Sequence, residues 1–384
     1  MNNYLTLSLD VMSGENDPDA SILGALDLLS SREDIKLILV GDSESIKNKI
    51  TNADQNRIEI IHTDEIIEMD DSPLDALRKK KNSSMRVAID LVRDKKAQAC
   101  ISSGNTGALL AISKNSLKTI PTIDRPALMT SIPTKIGFVY ILDLGANTLC
   151  SAEQLTQFAL MGSTVAKEIK NIDKPRVGLL NIGQEDIKGN ESIRDASLLI
   201  SKTSLNYIGF IEPNNIVEDI ADVIVTDGFT GNIVIKTMEG TVNLVSDYIR
   251  EAFGYNFYNK LIGLMAKPVL GRFKARLDPR HYNGALLLGL NGIVVKSHGG
   301  TDSYGFHHAL LTAVDEIEKE EYKEILTKMK SERKKERKEG ETKARKYFQL
   351  LRKSSNEGSD RDITKNDNKL KDSDCSNCCT CPIC

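Results

Sequence analysis

Asp222-Val-Ile-Val-Thr-Asp227-Gly-Phe-Thr-Gly231-Asn-Ile-Val-Ile-Lys-Thr-Met-Glu-Gly240 is the stretch that decides the fold. Val223 to Val225 is a short, β-branched apolar run, the pattern of a strand buried on both faces of a parallel sheet. Asp227 to Asn232 interrupts it with two glycines and small polar residues, and a helix is expected from about Ile233. A glycine-rich turn from strand into helix leaves backbone N–H groups unpaired at the positive end of the helix dipole, a geometry suited to phosphate.

The same pattern occurs earlier. Ala99 to Ser102 leads into Ser103-Gly104-Asn105-Thr106-Gly107-Ala108 and then a helical run from Leu109 to Leu117. Both turns read Gly-x-Thr-Gly directly after an apolar strand. Glycine at such a turn can serve only to let elements pack closely. Two matching turns rich in Asn, Thr, Ser and Asp point further, to an anion site.

Outward from these turns, the chain alternates strands and helices. Strands are expected at Leu5–Leu9, Ile35–Val40, Arg57–His62, Phe138–Leu142, Arg176–Asn181 and Ile293–Lys296. Helices are expected at Asp19–Leu29, Met85–Arg93, Ala152–Ile169, Thr241–Glu251 and Tyr304–Glu318, with Ser43 capping a further short one. Ser151 and Gln154 have the spacing of a capping box. This rhythm predicts an α/β fold with a mostly parallel sheet.

Composition narrows the class. The 384 residues are 40% hydrophobic and 27% charged, with 5% aromatics and no tryptophan, which describes a globular protein with an aliphatic core. Net charge is −3, yet Ser331 to Lys371 alone carries +6, so an acidic body precedes a basic tail. Nothing in the body suggests a nucleic-acid partner. Of seven cysteines, only Cys100 and Cys150 lie in the body, which argues for a reducing compartment. The start has no secretory pattern, and no run reaches the ~18 apolar residues of a membrane span. A cytoplasmic location is expected.

Further polar loops follow strands. Lys81, Ser83 and Ser84 open a helix after a run of cations, where an anionic ligand could be met. Asp143-Leu-Gly-Ala-Asn147 ends one strand, Gly183 to Glu191 with Lys188 ends another, and Ser297-His298-Gly299-Gly300 a third. Such loops are where α/β enzymes place ligands. Phe253 to Arg276 gathers aromatic and basic residues in an aromatic-poor chain, the composition of a dimer interface or of a tip that touches lipid. The last ten residues hold five cysteines, open to soft-metal binding or to a prenylation box at Cys381-Pro-Ile-Cys384.

Taken in order, Lys81-Asn-Ser83-Ser84-Met85, Ser103-Gly-Asn-Thr-Gly107, Asp124-Arg125-Pro126-Ala127, Asp143-Leu-Gly-Ala-Asn147, Gly178-Leu-Leu-Asn-Ile-Gly183 with Lys188-Gly189-Asn190, Asp227-Gly-Phe-Thr-Gly-Asn232, and Leu288-Gly-Leu-Asn-Gly292 with His298-Gly299 are a recognisable set. They resemble the PlsX family, the acyl-carrier-protein:phosphate acyltransferases of bacterial phospholipid synthesis. The resemblance runs from the first strand to about Ala313. It departs in the first loop, where the family typically reads Asp-Ala-Met-Gly-Gly-Asp and this chain reads Asp10-Val-Met-Ser13-Gly14-Glu15.

The resemblance implies a Rossmann-like three-layer α/β sandwich related to the isocitrate dehydrogenase and phosphate acetyltransferase group, working as a homodimer. It implies transfer of an acyl group from acyl carrier protein to inorganic phosphate, without cofactor or metal. The acyl phosphate would pass to a membrane glycerol-3-phosphate acyltransferase, with the protein peripherally attached to anionic membrane. Under this reading Lys188, Asn232 and Asp227 are catalytic. Ser83, Ser84, Gly104, Asn105, Thr106, Gly107, Asn147, Gly228, Thr230, Gly231 and His298 bind phosphate or substrate. Residues 1–330 form the catalytic domain, with a helical excursion over about 241–285, and 331–384 a charged tail. A phosphate acetyl- or butyryltransferase using coenzyme A, and a non-enzymatic lipid or carrier scaffold, are the alternatives.

Overall fold

Among the described residues, short aliphatic runs collect into an eleven-stranded sheet. Its strands are β1 (Leu5–Asp10), β2 (Ile35–Gly41), β3 (Ile58–His62), β4 (Ala99–Ser102), β5 (Ala127–Pro133), β6 (Phe138–Leu142), β7 (Arg176–Leu180), β8 (Asn206–Ile211), β9 (Val223–Val225), β10 (Ala285–Leu288) and β11 (Ile293–Lys296). The spatial order is β3-β2-β1-β4-β11-β10-β5-β6-β9-β7-β8. The computed structural model describes residues 4–15, 19–50 and 55–318. The basic tail and its cysteines lie outside the described residues.

Ten helices cover the sheet: α1 (Asp19–Ser31), α2 (Ser43–Lys49), α3 (Pro73–Lys79), α4 (Ser84–Arg93), α5 (Thr106–Leu117), α6 (Ala152–Lys170), α7 (Glu191–Ile200), α8 (Gly228–Gly254), α9 (Phe257–Leu277) and α10 (Ser303–Glu318), counted among the described residues. The strand period of two sorts side chains between the faces. Leu7, Leu9, Val223 and Val225 pack with α1, α6, α7 and α10 on one face. Cys100, Ile141, Ile224 and Val294 pack with α3, α4, α5 and the start of α8 on the other. Val223, Ile224 and Val225 are all buried, so β9 is covered on both sides as its composition predicts. Each such side chain contributes about 1.5–3 kcal/mol.

Strand direction matters more for function. β10 runs antiparallel to β11 and to β5, and β5 runs antiparallel to β6; the other seven pairings are parallel. Three reversals therefore separate β4 from β9. The turn after β4 and the turn after β9 thus leave the sheet in opposite directions, and it is α8, running back from the second turn, that approaches the first.

Several expected boundaries move. α5 starts at Thr106 and α8 at Gly228, so most of each glycine-rich turn is the first turn of a helix. The expected helix from Thr241 is the second half of α8. Asp42, rather than Ser43, caps α2, because its carboxylate accepts from Ser45 N at 2.8 Å. The capping box is present as expected, with Ser151 and Gln154 bonded reciprocally. α7 and β8 carry no strong sequence mark and were not anticipated.

Candidate functional site

Adjacent strands β1, β4 and β11 end together at one edge of the sheet. Asp10, fully buried, accepts from Ser84 Oγ and from Ser102 Oγ, each at 2.6 Å. Ser102 Oγ in turn accepts from Gly104 N at 3.1 Å. Ser83 caps α4 through Arg86 N and donates to Lys80 O at 3.0 Å. Asn105 caps α5 through Ala108 N, and its amide donates to Met69 O and Asp71 O at 2.8 and 3.0 Å. Ser83, Ser84 and Asn105 thus spend their polar side chains on the protein. Thr106 and Gly107 remain as N–H groups of the first turn of α5, which has no intrahelical acceptor.

The group at the centre of this edge is not among the candidates that the sequence offers. Lys296 ends the apolar run Ile293-Val-Val-Lys296 and is buried. Its Nζ donates to Ser103 O at 3.1 Å and to Ser297 O. Burial pushes its pKa down to about 8; Glu15 and Asp10 pull it up, and Lys236 of α8 adds to the lowering. A lysine closing a strand otherwise made of Ile and Val was the available signal. The first loop folds over it: Ser103 Oγ donates to Ser13 O at 2.6 Å, and Glu15 N to Gly299 O at 2.9 Å. Ser13 Oγ is buried with no hydrogen-bond partner. His298 is exposed beside this loop, its Nδ1 accepting from Gly300 N at 3.1 Å.

The opposite edge holds Asp143, Asn147 and the start of α8. The buried Asp143 carboxylate accepts from Leu128 N, Leu144 N, Ala146 N, Asn147 N and Asn147 Nδ2, at 2.6–3.2 Å. Burial pushes its pKa up, against these five donors. An acceptor surrounded only by N–H groups is held as the anion. Asn147 is buried, and its amide also donates to Pro126 O at 2.8 Å. A Cβ on Gly231 would overlap the Asp143 carbonyl oxygen, and one on Gly228 would sit 2.8 Å from Asn147 O. Both glycines are therefore required for close packing. Asp227 caps α8, accepting from Thr230 N and Thr230 Oγ1 at 2.8 and 2.9 Å.

Asn232 is exposed, and its side chain lies beside Gly145. Lys188 is exposed on a loop fastened by Asn181 Nδ2 to Lys188 O at 3.2 Å. Nearby, a cavity of about 460 Å³ is lined by Leu149, Cys150, Ile193, Asp227, Phe229 and Thr230 among others. The Cys150 thiol is pushed up to about 12 by burial, with Asp143 and Asp227 adding to the rise, so it stays neutral. Among the described residues, no group of three or more His, Cys, Asp or Glu is placed to hold a metal ion.

The site residues therefore divide. Ser83, Ser84, Gly104, Asn105, Thr106, Gly107 and His298 lie at the β1–β4–β11 edge. Asn147, Asp227, Gly228, Thr230, Gly231, Asn232 and Lys188 lie at the β6–β9–β7 edge. α8 links them, starting at the second edge and carrying Lys236 close enough to Lys296 to affect it.

A family model described as "Fatty acid synthesis protein" matches residues 5–323. The chain belongs to this family, PlsX. A phosphate acyltransferase from Nitrosococcus oceani is 49% identical over 319 residues, covering 82% of this chain and 94% of that one. Another from Hydrogenovibrio crunogenus is 46% identical over 330 residues, covering 85% and 98%. Among solved structures, a phosphotransacetylase from Streptococcus pyogenes superposes with a TM-score of 0.54 at 17% identity, over 82% of this chain and 94% of that one. A phosphotransacetylase from Staphylococcus aureus gives 0.50 at 17% identity, over 82% and 94%. These two show the fold: an open, mostly parallel α/β sheet covered by helices. The PlsX match spans both sheet edges, so every candidate site residue falls inside it.

Proposed function

We propose that the chain transfers a fatty acyl group from the thioester of acyl carrier protein to inorganic phosphate, giving acyl phosphate and free carrier thiol. The observation that carries this is likeness over nearly the full length of relatives called phosphate acyltransferase. A phosphate oxygen attacks the thioester carbon, the carbon–sulfur bond breaks, and the leaving thiolate takes up a proton. Phosphate is already a nucleophile. The protein has to hold two anionic groups together and stabilise the tetrahedral oxyanion.

The first turn of α5 supports the phosphate end. Asn232 is the oxyanion donor in this reading; it is exposed and shares a face of α8 with Lys236 one turn on. Asp227 acts through the α8 cap, and Lys188 offers a cation to the anionic donor. Residues 1–330 serve as the catalytic unit, with 331–384 an appendage. Phosphate-dependent thiol release from acyl carrier protein is the test. Release that ignores phosphate would sink the reading, and release only from acyl-coenzyme A would move it to a phosphotransacetylase-like activity.

The same reading places the protein in the cytoplasm as a peripheral, dimeric enzyme that delivers acyl phosphate to a membrane glycerol-3-phosphate acyltransferase. No helix among the described residues is long and apolar enough to cross a membrane. Support comes from α9, where Phe257, Tyr258, Leu264 and Met265 are exposed, each by 66–78%. Leu261→Glu with Leu264→Glu is expected to release the protein from anionic liposomes while leaving its dimer and its turnover intact. A monomeric or unfolded variant would make this segment an interface core instead. The comparison is made in the full chain and in one ending at Lys330, since the basic tail also attracts anionic lipid.

A further inference from the structure

A buried ammonium is costly, and the usual remedy is a carboxylate in direct contact. Lys296 instead donates to two backbone carbonyls, Ser103 O and Ser297 O. Asp10, the nearby buried carboxylate, is occupied by Ser84 and Ser102. An ammonium has three donors, so one N–H of Lys296 is left over. Beside it is a second unfilled group: Ser13, only 6% exposed, has a hydroxyl with no partner. That hydroxyl lies against Gly104, where a Cβ would be 3.1 Å from it, at the entrance to α5. α5 starts two residues beyond Gly104, at Thr106, with the Thr106 and Gly107 N–H groups in its first turn.

We propose that Lys296 Nζ and Ser13 Oγ, facing the first turn of α5, form the seat for inorganic phosphate. One N–H, one hydroxyl and the helix N–H groups supply donors to a tetrahedral dianion, and the ammonium supplies its countercharge. Lys236, approaching from α8, adds a second positive charge from the side where the acyl donor would lie. Glu15, whose side chain rests against Gly299 and Gly300, closes the seat with a negative charge and favours departure of the product dianion. This proposal rests on the acyl-to-phosphate reading above and gives the phosphate its place.

The test uses the full chain and two variants, Lys296→Met and Ser13→Ala. Inorganic phosphate alone should raise the thermal midpoint of the parent, and this protection should vanish in Lys296→Met. In turnover, Lys296→Met should raise the KM for phosphate about tenfold or more, and Ser13→Ala about threefold. The KM for acyl carrier protein should stay within about twofold in both. Without phosphate, the thermal midpoint of Lys296→Met should equal or exceed that of the parent, because a buried charge has gone; a purely structural lysine would lower it. If Lys296→Met does not fold, Ser13→Ala decides alone, and an unchanged phosphate KM overturns the seat. A rise confined to the carrier-protein KM also overturns it, assigning the seat to the donor's phosphodiester. A parent that binds phosphate through Lys296 yet releases no thiol would keep the seat and remove the proposed reaction.

Discussion

Two charges are buried at opposite edges of this sheet, and they are held on different terms. The Asp143 carboxylate receives five N–H bonds from its own loop and from Leu128. Lys296 reaches two carbonyls and has an unpartnered serine hydroxyl beside it. A buried charge saturated by its own backbone fixes a loop. One left short of partners keeps capacity for a ligand. The two Gly-x-Thr-Gly turns divide in the same way. Gly228 and Gly231 face backbone atoms of the Asp143–Asn147 loop, whereas Gly104 faces the side chains of Ser13 and Met85.

The largest effect expected from this contrast is at Gly231. A methyl group there meets the Asp143 carbonyl, which cannot move without breaking the five-bond network. Gly231→Ala should lose about 3 kcal/mol or more in urea unfolding, or fail to accumulate as folded protein. A loss under about 1 kcal/mol would show the loop to be pliable and the contrast between the edges to be wrong.

Asn232 tests whether the Asp143 edge also takes part in chemistry. Its side chain is exposed, so Asn232→Ala should leave the unfolding midpoint in place. Loss of one oxyanion donor typically lowers turnover by ~10²–10³, and that is the expected fall. Normal turnover would confine the chemistry to the Lys296 edge.

How much of this was legible in the sequence follows from how local each feature is. The strands that were expected, the Ser151–Gln154 capping box and the ordered loops are set by residues a few positions apart, and the structure has them. The opposition of the two turns is not local. It depends on β10 returning from residue 285 to lie between β11 and β5, which no pattern near either turn announces. Asn105 looked free because the carbonyls of Met69 and Asp71 that consume its amide come from a loop about 35 residues away. Lys296 was missed for the converse reason. A single lysine at a strand end reads as the point where the chain meets water, and only the fold of the first loop over it makes it buried.

The pH dependence of stability sharpens the comparison from the cation's side. The Lys296 pKa falls from an ordinary 10.5 to about 8 on folding. Between those values the unfolded chain binds more protons than the folded one, so this group makes stability rise with pH. Below about pH 8 the penalty for the buried charge is fully present, and by pH 10.5 it is relieved. The total is about 3 kcal/mol. Parent and Lys296→Met compared in urea should differ in slope over this window, with the variant flatter. Parallel curves would mean that Lys296 is better solvated than its burial implies.

The smallest effect is expected at Gly104, and it is the most selective. A Cβ there would sit 2.6 Å from Met85 Cε and from Ser13 Cβ. The methionine end is flexible and can turn away. Ser13 Cβ is fixed by its backbone, so relief there needs a small shift of the first loop, which is tethered at the Ser13 carbonyl by Ser103 Oγ and carries the Ser13 hydroxyl with it. Gly104→Ala should therefore cost only about 1 kcal/mol of stability, far less than Gly231→Ala. Its mark should fall on phosphate: a KM raised about threefold, as for Ser13→Ala, with the carrier-protein KM unchanged. The two substitutions combined should do little more than either alone, because both displace one hydroxyl. Independent, multiplying effects would mean that Gly104 is needed for its own N–H and not for the serine beside it.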